Sequence, residues 1–135
     1  MKKLIIVLTL GLFSTLTFAQ KNNFQLSSHI LDISKGSPAA DVVIQLERFN
    51  DVNKTWSVID EKKTDSSGRV PDFLPSGKSN FGIYKLTFFT SEYFKGNKVE
   101  SFYPFIEVVF QIKDENHYHV PITLSAYGYS TYRGN

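Results

Sequence analysis

The sequence predicts an all-β domain, a sandwich of seven to eight short strands with one short helix. Apolar and polar residues alternate at period two through most of the chain, the pattern of half-buried strands. Clusters of Gly, Pro, Asn, Asp and Ser interrupt the alternation at short intervals. Helical periodicity is scarce, and 135 residues hold one sandwich of roughly 100 residues with no room for a second domain.

In chain order, residues 1–19 have the form of a secretory signal peptide. Lys2 and Lys3 precede the apolar run Leu4–Phe13, and Ser14–Ala19 close on Thr17-Phe18-Ala19, a small-residue cleavage pattern. The run falls short of the roughly 20 apolar residues that cross a membrane. Residues 20–135 are therefore expected to be an exported domain that leaves the membrane once its leader is removed. Periplasmic is the expected location, since no lipidation cysteine follows the leader. The first strand is expected over Gln25–Ile33, ended by Lys35-Gly36-Ser37-Pro38. Val42, Ile44 and Leu46 oppose Gln45 and Glu47 in the next, before the turn Asn50–Lys54. Trp56–Thr64 follows, then the Asp65-Ser66-Ser67-Gly68 and Pro75-Ser76-Gly77 turns, then a strand over Gly82–Phe89. Ser91–Lys95 is the one place for a short helix, with Gly96 as its stop. Ile106, Val108, Phe110 and Ile112 oppose Glu107 and Gln111. After Asp114-Glu115-Asn116 come Tyr118–Leu124 and a last strand near Tyr127–Tyr132.

Charge and cysteine content exclude several function classes. Two of the 15 Lys and Arg residues fall in the leader, so the remaining 13 balance 13 Asp and Glu. With no Lys/Arg run to track phosphates, nucleic acid is not an expected partner. Cysteine is absent, so stability must come from apolar burial, and 12 Phe, 7 Tyr and one Trp suit that need.

The candidate chemistry lies in three histidines. In the run His117-Tyr118-His119-Val120-Pro121-Ile122-Thr123-Leu124-Ser125, the apolar residues take one strand face. His117, His119, Thr123 and Ser125 share the other, which is either solvated or a site. His29 shares a face with Leu31, where a half-buried structural histidine is the ordinary alternative. Arg69 follows the Asp65–Gly68 turn, which would hold its guanidinium at an edge; an ordinary exposed arginine is the alternative. A His-x-His pair with a third histidine could hold zinc, but no cysteine or nearby carboxylate strengthens that reading. Ser125 shares a face with His119, yet no glycine-flanked nucleophile turn surrounds it.

Taken in order, these segments resemble the 5-hydroxyisourate hydrolase family, also called transthyretin-related proteins, over nearly the whole exported region. The resemblance is carried by Leu26-Ser27-Ser28-His29-Ile30-Leu31-Asp32, Gly36-Ser37-Pro38-Ala39-Ala40, Thr64-Asp65-Ser66-Ser67-Gly68-Arg69, Tyr93-Phe94, Glu100-Ser101-Phe102-Tyr103-Pro104, His117-Tyr118-His119-Val120-Pro121 and the closing Ser125–Gly134. It implies a transthyretin-like β-sandwich and a homotetramer with sites in a channel where two dimers meet. The implied activity is ring opening of a cyclic amide, 5-hydroxyisourate, to 2-oxo-4-hydroxy-4-carboxy-5-ureidoimidazoline in urate degradation, with no metal and no cofactor. His29, Arg69 and His119 fall on the family's catalytic positions. His29 and Arg69, together with Tyr132, Arg133, Gly134 and Asn135, fall on its substrate-binding ones. Asn135 stands where the family usually has serine. The alternative is a non-catalytic carrier of a small ligand, as in transthyretin, whose members lack the His/Arg/Tyr-Arg-Gly constellation.

Overall fold

The computed structural model describes residues 22–135, so the leader expected over residues 1–19 lies outside the described part. Among the described residues, alternation builds two sheets. In one, β1 (Phe24–Asp32) is central. β2 (Ser37–Pro38) pairs antiparallel with its second half. The other sheet is antiparallel throughout and joins β3 (Val43–Asn50), β4 (Thr55–Lys63), β6 (Gly82–Phe89) and β7 (Ile106–Ile112) in the order β4-β3-β6-β7. Between β4 and β6 the chain returns to the first sheet as β5 (Arg69–Pro75), antiparallel to the first half of β1. The opposite edge of β1 receives β8 (Tyr118–His119) and β9 (Ile122–Ser125), both parallel, and β10 (Gly128–Thr131) closes that side antiparallel to β9. Eight of these ten strands have four residues or more, in agreement with the expected seven to eight.

The inner faces of the two sheets form one core. Leu26, Ile30, Phe73, Ile122 and Leu124 of the first sheet, and Ile44, Leu46, Leu86 and Phe88 of the second, are sealed from solvent. Each such side chain contributes roughly 1.5–3 kcal/mol of burial. The expected face of the histidine run is confirmed, since Tyr118, Val120, Ile122 and Leu124 are all buried.

Three elements depart from the pattern, each for a local reason. β5 escapes recognition because it carries Pro71 and Pro75, and proline cannot donate to a ladder. A bulge accommodates Pro71: Leu26 faces Phe73 but Ser28 faces Val70, so three steps on β5 answer two on β1. The shift turns both Val70 and Phe73 inward. Pro121 likewise divides the expected strand over Tyr118–Leu124 into β8 and β9. Val120 keeps the join in register, its amide donating to the Ser27 carbonyl and its carbonyl accepting from Ser28 Oγ at 2.8 Å. The helix α1 (Ser91–Gly96) forms where expected, but its N-cap is Thr90, whose side chain makes no capping bond.

β1 itself turns two polar residues inward. Leu26, Ser28, Ile30 and Asp32 are buried, whereas Ser27, His29 and Leu31 lie half-buried on the outer face. The interior tolerates Ser28 and Asp32 because both are bonded. Asp32 accepts from the Ser34 and Lys35 amides and from the Tyr93 hydroxyl.

Between β5 and β2 the edge of β1 is completed by backbone outside both strands. The Ile30 amide donates to the Gly68 carbonyl at 2.9 Å, and the Ile30 carbonyl accepts from the Ala39 amide at 3.0 Å. Gly68 has φ +72°, and a Cβ there would lie 2.7 Å from the Ile30 carbonyl oxygen and 2.8 Å from Pro38 Cβ. Those neighbours are backbone or next to it and cannot yield. Gly68→Ala is therefore expected to lower stability by roughly 2–4 kcal/mol, combining left-handed strain with a clash. Gly36→Ala, with φ +64° and open space around it, should cost only about 1–2 kcal/mol. Denaturant midpoints of the two variants check the contrast, and equal losses would contradict it.

Candidate active site

The outer face of the first sheet gathers side chains from three adjacent strands. Ser27 and His29 point outward from β1, two residues apart. His29 sits opposite Arg69 on β5, and Ser27 sits beside His119 on β8. Register alone thus sets Arg69, His29, Ser27 and His119 on one surface.

Arg69 owes its place to the turn before it. The Asp65 carboxylate accepts from the Ser67 amide at 2.8 Å, the Ser67 hydroxyl at 2.6 Å and the Arg69 amide at 3.0 Å. Those hydrogen bonds, the Ser67 hydroxyl first, hold the Asp65 carboxyl below the usual range. The Gly68 amide donates back to the Asp65 carbonyl, and the Asp65 amide to the Arg69 carbonyl. This closed turn opens β5 at Arg69, on a strand that pairs with β1.

On the other side, Ser27 Oγ lies 2.8 Å from both His117 Nε2 and His119 Nδ1. His117 Nδ1 is 3.0 Å from the Phe24 carbonyl oxygen. The loop before β8 is itself anchored: buried Gln25 donates to the Asp114 and Asn116 carbonyls and accepts from Asn80. Beyond His119 the chain end returns to it. The Gly134 amide donates to the His119 carbonyl at 2.8 Å, and a Cβ on Gly134 would stand 2.5 Å from His119 Cδ2. Gly134 therefore packs its backbone against the imidazole.

Both outer histidines bind protons less readily than free imidazole. Burial lowers the pKa of His29 first and the Arg69 charge second, with a Ser67 backbone contact and Asp65 pulling the other way. For His119 burial again leads, followed by Arg69, His29 and His117. Two imidazoles held neutral at neutral pH beside a guanidinium can remove a proton from water and stabilise developing negative charge.

Of the residues singled out from sequence, His29, Arg69, His119 and Gly134 converge. Tyr132 and Arg133 border a separate groove of about 550 Å³, and the Arg133 guanidinium lies 4.5 Å over the Tyr118 ring. The histidine side borders a smaller cleft of about 150 Å³, lined by Ser27, Arg69 and His117 among others. The chemistry is placed by these side chains rather than by the larger groove. Asn135 is exposed. Ser27 was not singled out, although its place two residues before His29 puts it on the same face. Among the described residues no three His, Asp or Glu side chains gather as metal ligands.

Comparison with known proteins converges on one family. The model of the HIUase/Transthyretin family matches residues 26–134. A probable 5-hydroxyisourate hydrolase of Caenorhabditis elegans is 45% identical over 122 residues, covering 90% of this chain and 89% of the relative. Among solved structures, the 5-hydroxyisourate hydrolase of Klebsiella pneumoniae superimposes with TM-score 0.67 at 33% identity, covering 82% of this chain and 92% of that one. Sea bream transthyretin in complex with thyroxine superimposes with TM-score 0.76 at 28% identity, covering 82% and 94%.

The electrostatic arrangement can be read directly by NMR. Titration of the imidazole protons should give midpoints below about 6.5 for His29 and His119. Because the Arg69 charge opposes imidazolium formation at both, Arg69→Met should raise both midpoints. The unfolded chain binds these protons at higher pH than the folded one, so their contribution to stability is lost as pH falls below about 6.5. Unchanged midpoints in Arg69→Met would remove the arginine from the site.

Proposed function

The chain belongs to the HIUase/Transthyretin family, and we propose that it is a hydrolase that opens the cyclic amide of 5-hydroxyisourate with water. The observation that carries this reading is the set of His29, Arg69 and His119 on one face of three adjacent strands, with both imidazoles held neutral. Overall likeness cannot make the choice, since the transthyretin structure superimposes with a higher TM-score than the hydrolase. A carrier has no use for two neutral imidazoles beside an arginine.

In the proposed reaction a neutral imidazole accepts a proton from water as the oxygen attacks the ring carbonyl carbon. His119 is the base and His29 the positioner or second proton carrier. Negative charge develops on the carbonyl oxygen, where the planar Arg69 fork can donate two hydrogen bonds. The C–N bond then breaks and the leaving nitrogen takes the proton, so the ring opens to the carboxylic acid of 2-oxo-4-hydroxy-4-carboxy-5-ureidoimidazoline, which releases its own proton to solvent. Gly134 closes one side of the site, and Tyr132, Arg133 and Asn135 are proposed to bind the substrate beside it, which requires Tyr132 and Arg133 to turn from the separate groove they border. The support is the Gly134 contact with His119.

The working form is proposed to be a homotetramer in the periplasm. Exposed apolar side chains on outermost strands, Val109 on β7 and Tyr129 on β10, support self-association. The leader-like segment supports export. Osmotic shock should release a species of tetramer mass; a monomer would overturn the assembly, and retention in the cytoplasm the export.

The activity is tested by generating 5-hydroxyisourate from urate with its oxidase and following the decay of its ultraviolet absorbance. The protein should accelerate that decay. His119→Ala and Arg69→Ala should each slow it by about 10²-fold or more with the fold retained. Gly134→Ala, which drives a methyl into the His119 ring, should also slow it. No acceleration by the folded wild-type protein would favour the carrier.

A further inference from the structure

The hydrogen bonds behind His119 determine where its proton sits. A backbone carbonyl only accepts, so the contact between His117 Nδ1 and the Phe24 carbonyl requires a proton on that nitrogen. A neutral imidazole carries one N–H, which leaves His117 Nε2 as an acceptor. Ser27, 2.8 Å away, spends its single hydroxyl proton on it. Ser27 Oγ then has only lone pairs to offer His119 Nδ1, also at 2.8 Å, so His119 must donate from Nδ1. Its Nε2 is left with a free lone pair and makes no hydrogen bond among the described residues. Free histidine prefers the opposite tautomer, with the proton on Nε2. The chain from the Phe24 carbonyl through His117 and Ser27 thus selects the basic form of the Nε2 atom.

We propose that Ser27 and His117 are positioning residues that form a proton relay behind His119, setting its tautomer and drawing charge away from the reacting atoms. The relay rests on the hydrolase reading for its use, but not for its existence. When His119 Nε2 takes a proton from water, the ring becomes an imidazolium facing Arg69, His29 and His117. Its Nδ1 proton passes to Ser27 Oγ as the Ser27 hydroxyl proton passes to His117 Nε2. The positive charge then resides on His117, whose Nδ1–H still donates to the Phe24 carbonyl. Delivery of the Nε2 proton to the leaving nitrogen runs the relay backwards: His117 returns its proton to Ser27, and Ser27 returns one to His119 Nδ1. One proton leaves water and one reaches the departing nitrogen, and all three side chains end as they began.

Nitrogen-15 NMR of histidine-labelled protein, above the pH at which the imidazoles titrate, tests the tautomers without any substrate. Wild type should show both His117 and His119 as Nδ1–H. Ser27→Ala should leave His117 unchanged and release His119 toward Nε2–H. In the hydrolysis assay Ser27→Ala and His117→Phe should each lower kcat by roughly tenfold, as loss of an orienting partner does elsewhere, with KM changed less than twofold. Ser27→Thr, which keeps the hydroxyl, should restore most of the rate. An Nε2–H tautomer for His119 in wild type overturns the relay outright. The expected tautomers with full kcat in Ser27→Ala overturn its part in proton transfer. A wild-type protein without activity but with both Nδ1–H signals would refute the hydrolase and leave the hydrogen-bonded chain standing.

Discussion

The site depends on the requirement that both edges of β1 be hydrogen-bonded at once. A buried strand cannot leave amides or carbonyls unpaired, and β1 satisfies them with β5 and β2 on one side and β8 and β9 on the other. Strands paired in register send opposite residues to the same face. Arg69, His29, Ser27 and His119 therefore share a surface as a consequence of backbone pairing, before any of them interacts with another. Where β5 and β2 leave a gap, Gly68 and Ala39 bond to Ile30 and keep the edge continuous. The residue that closes this gap immediately precedes the arginine.

Within that frame hydrogen bonding and charge divide the work. The Asp65 carboxylate is occupied by three local donors, which fixes the turn and limits its hold on the histidines. For His29 it opposes burial and Arg69 without outweighing them. The guanidinium has two effects: it disfavours imidazolium at His29 and His119, and it presents donors to an oxyanion. One cation can thereby keep the base free and stabilise the charge that the base helps to create.

Much of this was legible from residues alone. Alternation placed Tyr118, Val120, Ile122 and Leu124 inside and the two histidines outside, as found. The turn chemistry of Asp65–Gly68 marked where a chain reversal would fall. β5 was not legible, because two prolines and a bulge erase its period. The setting of His29 was obscured by Ser28 and Asp32, polar residues that take inward positions because distant groups bond them. Neither Ser27 nor His117 could have been assigned a place in a hydrogen-bonded chain from spacing, since the Phe24 carbonyl that orders it comes from pairing across the sheet.

That pairing also governs when the site comes into being. Ser27 and His119 are 92 residues apart, and the His119–Gly134 bridge adds the last turn of chain. Contacts of such long range carry a loop-closure entropy that neighbouring segments escape. In the second sheet β3 and β4 form a local hairpin, but β3 and β6 close a span similar to that between His29 and Arg69. A chain in which β8 has yet to reach β1 lacks His119 and its contact with Ser27, whatever the state of the β3–β4 hairpin. Chemical competence in this molecule reports closure of the whole sandwich and not the growth of any one part.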